Sequence, residues 1–173
     1  MRAPNFFLMG ATVVLLAGCA GYHLGSVNSD AAAGGRKSVE ILPFNNQTQQ
    51  PRLGDAVTQA LRERLQADGT YQLATRGEAD IVVTGVITGY QREGLSYLNT
   101  DVATAENYRV GVTAHVIVRE RSTGKLLFDK PNVTGYTLVH VGTDLASAER
   151  QALPLLAEDL ARNTVELLTE GAW

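Results

Sequence analysis

From residue 108 to 118 every second side chain is apolar. Tyr108, Val110, Val112, Ala114, Val116 and Val118 take the even positions, and Arg109, Thr113, His115 and Arg119 lie between them. A period of two marks a strand that is buried on one side and wet on the other. The chain must therefore build a sheet with one covered face, and other segments must supply the cover.

Two segments can do so. Leu53, Val57, Leu61 and Leu65 recur every fourth residue, with Ala56 and Ala60 beside them and Arg62, Glu63 and Arg64 flanking the stripe. This spacing predicts an amphipathic helix over 52–67. Pro51 suits its start, and Asp68-Gly69 its end. Ala152, Leu156, Leu160 and Leu167, with Leu153, Ala157, Ala161 and Leu168 alongside, predict a second helix over about 144–169. Asp144 is its expected N-cap. An interior proline costs ~3 kcal/mol, so a kink at Pro154, or a start close to it, is expected.

Three further strands complete the pattern. Residues 37–44 place Val39 and Ile41 on one face and end at Pro43-Phe44-Asn45-Asn46. Tyr71-Gln72-Leu73 is a short extended piece. Asp80–Arg92 carries Ile81, Val83, Gly85, Ile87 and Gly89 on one side and Val82, Thr84, Val86 and Thr88 on the other. Residues 93–107 show no period and read as a hairpin loop or a long exposed connection. Ser122-Thr123-Gly124 turns the chain into a last strand, 125–138, broken or bulged near Pro131 because proline cannot donate to a ladder. The order β-α-β-β-β-α predicts an α+β fold: two helices packed on one face of a single, mainly antiparallel four-stranded sheet.

The N-terminal region has another character. Arg2 precedes an apolar run from Phe6 to Leu16. That run is shorter than the roughly 20 residues needed to span a bilayer and fits a secretory signal. Leu16-Ala17-Gly18-Cys19 at its end resembles the bacterial lipobox. The resemblance implies cleavage before Cys19, a diacylglycerol on its sulfur and acylation of the new amine. Several acyl chains anchor stably where one is marginal. Ala20, where an aspartate would direct otherwise, implies by the same resemblance an outer-membrane destination, on the periplasmic face. Residues 1–18 thus read as a lipoprotein signal peptide. Residues 19–36, rich in Gly, Ser, Asn, Asp and Ala, read as the lipidated N-terminus and a flexible tether in which Tyr22 and Leu24 stand out. Residues 37–173 form the single domain. Cys19 is the only cysteine, so no intramolecular disulfide is possible.

Cleavage would leave 155 residues of net charge −4. That length suits one domain with a real core, and the negative balance argues against a general nucleic-acid binder. No catalytic or metal constellation emerges. His23, His115 and His140 lack ligand spacing. Ser122-Thr123-Gly124-Lys125 lacks the glycines and following helix of a phosphate loop. Asp80, Glu93 and Asp101 suggest no positioned carboxylate pair. Neither an enzyme nor a cofactor, beyond the acyl groups on Cys19, is expected. The basic residues Arg92, Arg109, Arg119, Lys125 and Lys130 are candidates for phosphate contact, since such groups form charge-assisted hydrogen bonds. Leu95, Tyr97 and Leu98, apolar in an otherwise polar stretch, are candidates for a protein interface.

The order of several segments carries a resemblance. Gly21-Tyr22-His23-Leu24 follows the cysteine. Val39-Glu40-Ile41-Leu42-Pro43-Phe44-Asn45-Asn46-Gln47-Thr48 follows the tether and precedes the helix from Leu53. Ala79-Asp80-Ile81-Val82-Val83-Thr84-Gly85, Tyr108-Arg109-Val110 and Thr123-Gly124-Lys125-Leu126-Leu127 come after. Together they resemble the LPS-assembly lipoprotein LptE family across nearly the whole mature chain. The resemblance implies two helices on one four-stranded sheet, residence as a plug in the outer-membrane barrel protein LptD, and contact with lipopolysaccharide, whose phosphorylated lipid A suits a basic surface. The strand ending Leu42-Pro43-Phe44-Asn45-Asn46, followed by a helix, also resembles CsgG- and LpoB-type lipoproteins, a secretion pore subunit and a peptidoglycan synthase activator. That second resemblance stops after about residue 75.

Overall fold

The computed structural model describes residues 36–75, 79–98, 101–140 and 144–170, with the side chains of residues 97–98 and 101–106 left aside. The signal segment, Cys19 and the tether up to residue 35 lie outside the described residues. The elements in chain order are β1 (Ser38–Ile41), β2 (Asn45–Asn46), α1 (Leu53–Asp68), β3 (Gln72–Leu73), β4 (Ile81–Leu98), β5 (Asp101–Glu120), β6 (Leu126–His140) and α2 (Leu145–Glu170).

The α+β class holds, but among the described residues the sheet has six strands and is mixed. Its order is β3-β1-β4-β5-β6, with β2 also on β4. β1 runs parallel to both β3 and β4, and β2 parallel to β4. Only β4–β5 and β5–β6 are antiparallel. The additional strands are two residues each, too short to show a period in sequence.

β1 and β2 are one strand interrupted at Pro43. Ile41 pairs with Val83 and Asn45 with Val86, so β1–β2 spends one more residue than β4 across the gap. Pro43 has no N–H to give. The Phe44 N–H goes instead to Thr58 Oγ1 on α1, at 2.9 Å. The shift turns the Phe44 ring inward onto Gly85, where any Cβ would lie 2.1 Å from Phe44 Cε1. Gly54 is equally constrained, since a Cβ there would meet Phe44 O at 2.7 Å. Helix, broken strand and central strand are thereby keyed together.

α1 buries Leu53, Val57, Leu61 and Leu65, the stripe read from the sequence. Gly69 closes it in the left-handed conformation, its N–H on Leu65 O at 3.2 Å. At the other end Pro51 precedes the helix in a turn, and Arg52, with φ 62°, is the capping position. α2 starts on Asp144, which accepts from the N–H groups of Ala146 and Ser147 at 3.0 and 3.1 Å. The Ser147 hydroxyl, then the Ala146 N–H, hold that carboxyl below the usual range. α2 does not begin at Pro154; it is one helix from Leu145 to Glu170 with the proline inside it.

On β5 the even residues Val110, Val112, Ala114, Val116 and Val118 are buried, as the alternation required. β4 keeps its odd residues inward only as far as Ile87. Ile87 pairs with Ala114 and Gly89 with Thr113, leaving Thr88 as an extra residue. Beyond that bulge the parity reverses. β4 and β5 then run on to Leu98 and from Asp101, so residues 93–107 are mostly strand rather than loop. Three register irregularities between Gly94 and Leu98 explain why no period was visible there. β6 contains the expected bulge: Val133 faces Ala114 and Lys130 faces Val116, with Pro131 and Asn132 between.

α2 lies hard against β6. A Cβ at Gly135 would fall 2.5 Å from Leu160 N, so only glycine lets the helix backbone sit this close. The result is contact between α2 side chains and the outer edge of β6. Asn163 Nδ2 donates to Thr134 O at 2.8 Å, and Asp159 Oδ2 accepts from Tyr136 N at 3.0 Å.

Candidate functional site

The five candidate cations do not form one surface. The Thr88 bulge sends Arg92 to the helix side, where it pairs across from Val110. Its Nε lies 3.1 Å from Oε1 of Glu149 on α2, a side chain only 10% exposed. The contact is ionic and not an aligned hydrogen bond, because that oxygen has no hydrogen-bond partner among the described residues. Tyr90, two residues back on the same side, holds its ring 6.0 Å from the Arg92 guanidinium. Burial, then the Glu149 charge, push the Tyr90 phenol up. Arg92 is thus committed to docking the first turns of α2.

Arg109 faces the opposite, helix-free side. It lies 3.8 Å from Glu93 and 5.6 Å from the centre of the Tyr136 ring. Gln91, Gly111 and Tyr136 form the next cross-strand line. The missing side chain at Gly111 leaves a cleft of about 480 Å³, lined also by Glu93, Arg109 and Thr134. An aromatic ring, an amide, a hydroxyl and a charge-balanced Arg–Glu pair surround it.

Arg119 shares the face of Arg109, as the alternation indicated. Ten residues of strand separate them, ~33 Å at ~3.3 Å per residue. Arg119 Nη1 donates to Gly124 O at 3.4 Å, which brings it to the β5–β6 turn beside the exposed Lys125. Arg121, on the same turn, is tied to Glu40. Lys130 is exposed but faces the helix side by register, opposite Val116. The structure therefore joins Arg119 with Lys125, and separates Arg92, Arg109 and Lys130 from them and from each other.

Leu95 is 44% exposed on the far part of β4. Tyr97 and Leu98 lie on the same strand, but their side chains are outside the described residues. Sequence reasoning missed Tyr136 and Leu138, 59% and 63% exposed. The signal for them was the parity of β6 after Pro131: Val133, Gly135 and Val139 face in, so Tyr136 and Leu138 face out. Among the described residues no group of three or more His, Cys, Asp or Glu is placed to hold a metal ion. No described helix is long and apolar enough to cross a membrane.

The sequence profile of the LptE lipopolysaccharide-assembly family matches residues 36–168. The chain belongs to the LptE family. The match spans every described element through most of α2, including the β4–β5–β6 meander that carries the basic and aromatic positions above. Curated proteins give no significant match to the sequence. Among solved structures, a hypothetical protein of Chlamydia trachomatis aligns with TM-score 0.56 at 11% identity, covering 79% of this chain and 97% of that one. A putative lipoprotein of Caulobacter crescentus aligns with TM-score 0.51 at 13% identity, covering 73% and 88%. A minor lipoprotein of Acinetobacter baumannii aligns with TM-score 0.51 at 13% identity, covering 78% and 93%. At these identities the likeness is one of fold. This LptE-family chain is thus an envelope lipoprotein of the lipopolysaccharide-assembly class.

Proposed function

We propose that this LptE-family chain is a non-catalytic outer-membrane lipoprotein, held by acylated Cys19, that assembles with an LptD-type β-barrel and serves lipopolysaccharide insertion. The observation that carries the reading is the family match over residues 36–168. It extends far beyond residue 75, where the resemblance to CsgG- and LpoB-type lipoproteins ends. The lipobox ahead of it supplies the anchor, and the tether of 19–36 the reach. For lipid A phosphates we assign Arg119 and Lys125 at the β5–β6 turn. Arg92 and Arg109 are the poorer candidates, since each has a carboxylate partner. Leu95 and its neighbours on the far part of β4–β5 would meet the barrel wall.

Purification of the full chain from membranes in mild detergent tests this reading. A large β-barrel should copurify in stoichiometric amount, and mass spectrometry should find the mature N-terminus acylated at Cys19. A cleaved but unlipidated protein, or one that purifies without any barrel, would refute it. Binding of purified lipopolysaccharide by the Arg119→Gln/Lys125→Gln double variant should weaken several-fold, most at low salt where charge is least screened. Unchanged affinity in a folded variant would remove the phosphate assignment.

A further inference from the structure

Among the described residues β6 is an edge of the sheet, and one side of its backbone has no strand neighbour there. α2 covers part of that side through the two contacts described above, Asn163 to Thr134 O and Asp159 to Tyr136 N. The spacing of these contacts matters. Helix residues four apart share a face, and alternate residues of a strand aim their backbone groups at the same edge. Four helical residues advance ~6 Å and two strand residues ~6.8 Å, so the two ladders keep step. After Asn163–Thr134 and Asp159–Tyr136, the third rung sets Leu155 beside Leu138.

That rung is different in kind. The pairing of β6 with β5 is unbroken from Val133 to His140, so the Leu138 N–H points to the outer edge as the Tyr136 N–H does. A leucine at 155 has no oxygen with which to accept it. Instead Leu138 and Tyr136 on the helix-free face and Leu155 on α2 flank this end of the edge, at 63%, 59% and 57% exposure the three most exposed large apolar side chains of the described residues. An open backbone donor flanked by apolar side chains suits an extended peptide: main-chain bonds supply affinity and alternate side chains supply specificity.

We propose that the β6 edge at Leu138 receives an extended strand from a different protein, which accepts the Leu138 N–H and lays an apolar side chain beside Leu138 on the helix-free face, with Leu155 of α2 flanking the edge from the helix side. A second copy of this chain fits poorly. Two-fold pairing about Leu138 would set Tyr136 of one copy against His140 of the other, and α2 already occupies the edge at Tyr136. A slender segment with nothing attached on its near side meets no such obstacle. The edge assignment stands on this geometry and does not depend on the barrel being the partner.

Hydrogen exchange with mass spectrometry tests it, on the full chain in its native membranes and after purification as a monomer in detergent. Amides of the 136–140 peptide should exchange at least tenfold more slowly in membranes, while those of the central strand at 110–118 should not differ. Leu138→Pro removes the donor on the side where the sheet does not use it. Leu155→Asp offers a carboxylate to Leu138 as Asp159 does to Tyr136. In both variants the difference between membrane and detergent should collapse. Leu155→Asp changes an exposed helix position, so it carries the test even if Leu138→Pro fails to fold. Equal exchange in the two states, or protection that persists in folded Leu155→Asp, would overturn the proposal. Protection that rises with the concentration of purified protein, with doubled mass, would overturn it in favour of a second copy. A copurifying barrel with an unprotected edge would sink the edge and spare the assembly reading; a protected edge with no barrel would do the reverse.

Discussion

The long antiparallel pair β4–β5 has two halves, divided by the Thr88 bulge, and they are built on different principles. In the first half the helix side carries Ile81, Val83 and Ile87 of β4 and Ala114, Val116 and Val118 of β5, all nearly inaccessible. The Phe44 wedge locks it, and Thr58 and Arg62 of α1 reach backbone groups of residues 41–44. In the second half the same side still buries Val110 and Val112 of β5, but β4 sets Tyr90 and Arg92 opposite them, and the first turns of α2 are met through an ion pair. Its other side carries Arg109, Tyr136 and Leu138 around the Gly111 cleft. The first half is thus a packed core that should punish almost any change. In the second, β4 and the open face trade apolar burial for polar and exposed apolar groups, which contribute less to folding.

The sharpest test of this contrast lies within the first half. Val116→Asp would bury a charge without a partner and should abolish the cooperative thermal transition. His115→Ala, one residue away on the open face, removes only a partly exposed contact with Asp129 and should cost under ~1 kcal/mol. Similar losses in both would mean that the two faces are not distinct. Phe44→Ala empties the space over Gly85 and should destabilise by ~3–5 kcal/mol in chemical denaturation.

Smaller effects are expected across the bulge. Arg92→Met leaves the Glu149 carboxylate buried and unpaired. The loss should be about 1–2 kcal/mol, below that of a fully buried pair because Arg92 keeps 49% of its side chain in water. Adding Glu149→Leu should recover most of it, a coupling readable in a double-mutant cycle. Tyr136→Ser should change stability by less than ~0.5 kcal/mol, and a large loss would show that the far half is core after all.

The mildest prediction concerns pH. Asp80 Oδ2 accepts both the N–H and the hydroxyl of Ser38, at 2.8 Å each, which clasps the start of β1 to β4. The Ser38 backbone, then its side chain, hold this carboxyl below the ordinary range. A lowered pKa means that the folded state prefers the ionised form. The stabilisation is therefore complete above ~4, the unfolded value, and is lost as pH falls through the lower folded value. Asp80→Asn should show a shallower loss of melting temperature than the parent as the pH falls below about 4.

Local signals were strong where one period ran undisturbed. The β5 alternation, the α1 stripe, the Gly69 stop and the Asp144 cap each rest on neighbours in sequence, and each is found in place. The signal failed where pairing shifts by a residue. Arg92 reads as an outward partner of Arg109 only if β4 keeps its parity, and Thr88 breaks it. Residues 93–107 read as a loop because repeated register changes erase the period, although most of them pair. Tyr136 and Leu138 were hidden behind the Pro131 bulge for the same reason.

What the amino-acid sequence determined by itself was the set of elements and the covered face of the central strand, because period, capping and turn chemistry act over a few residues. The family, too, was legible in the order of its segments. Only the tertiary structure decided which cations share a surface, which strands run parallel, and where the sheet edge stays open. Those outcomes depend on bulges that flip a strand's faces and on a helix that approaches β6 closely enough at Gly135 to cap two rungs of its edge. No residue's immediate neighbours encode such distances, so they arise only when the helix and the strand are packed together.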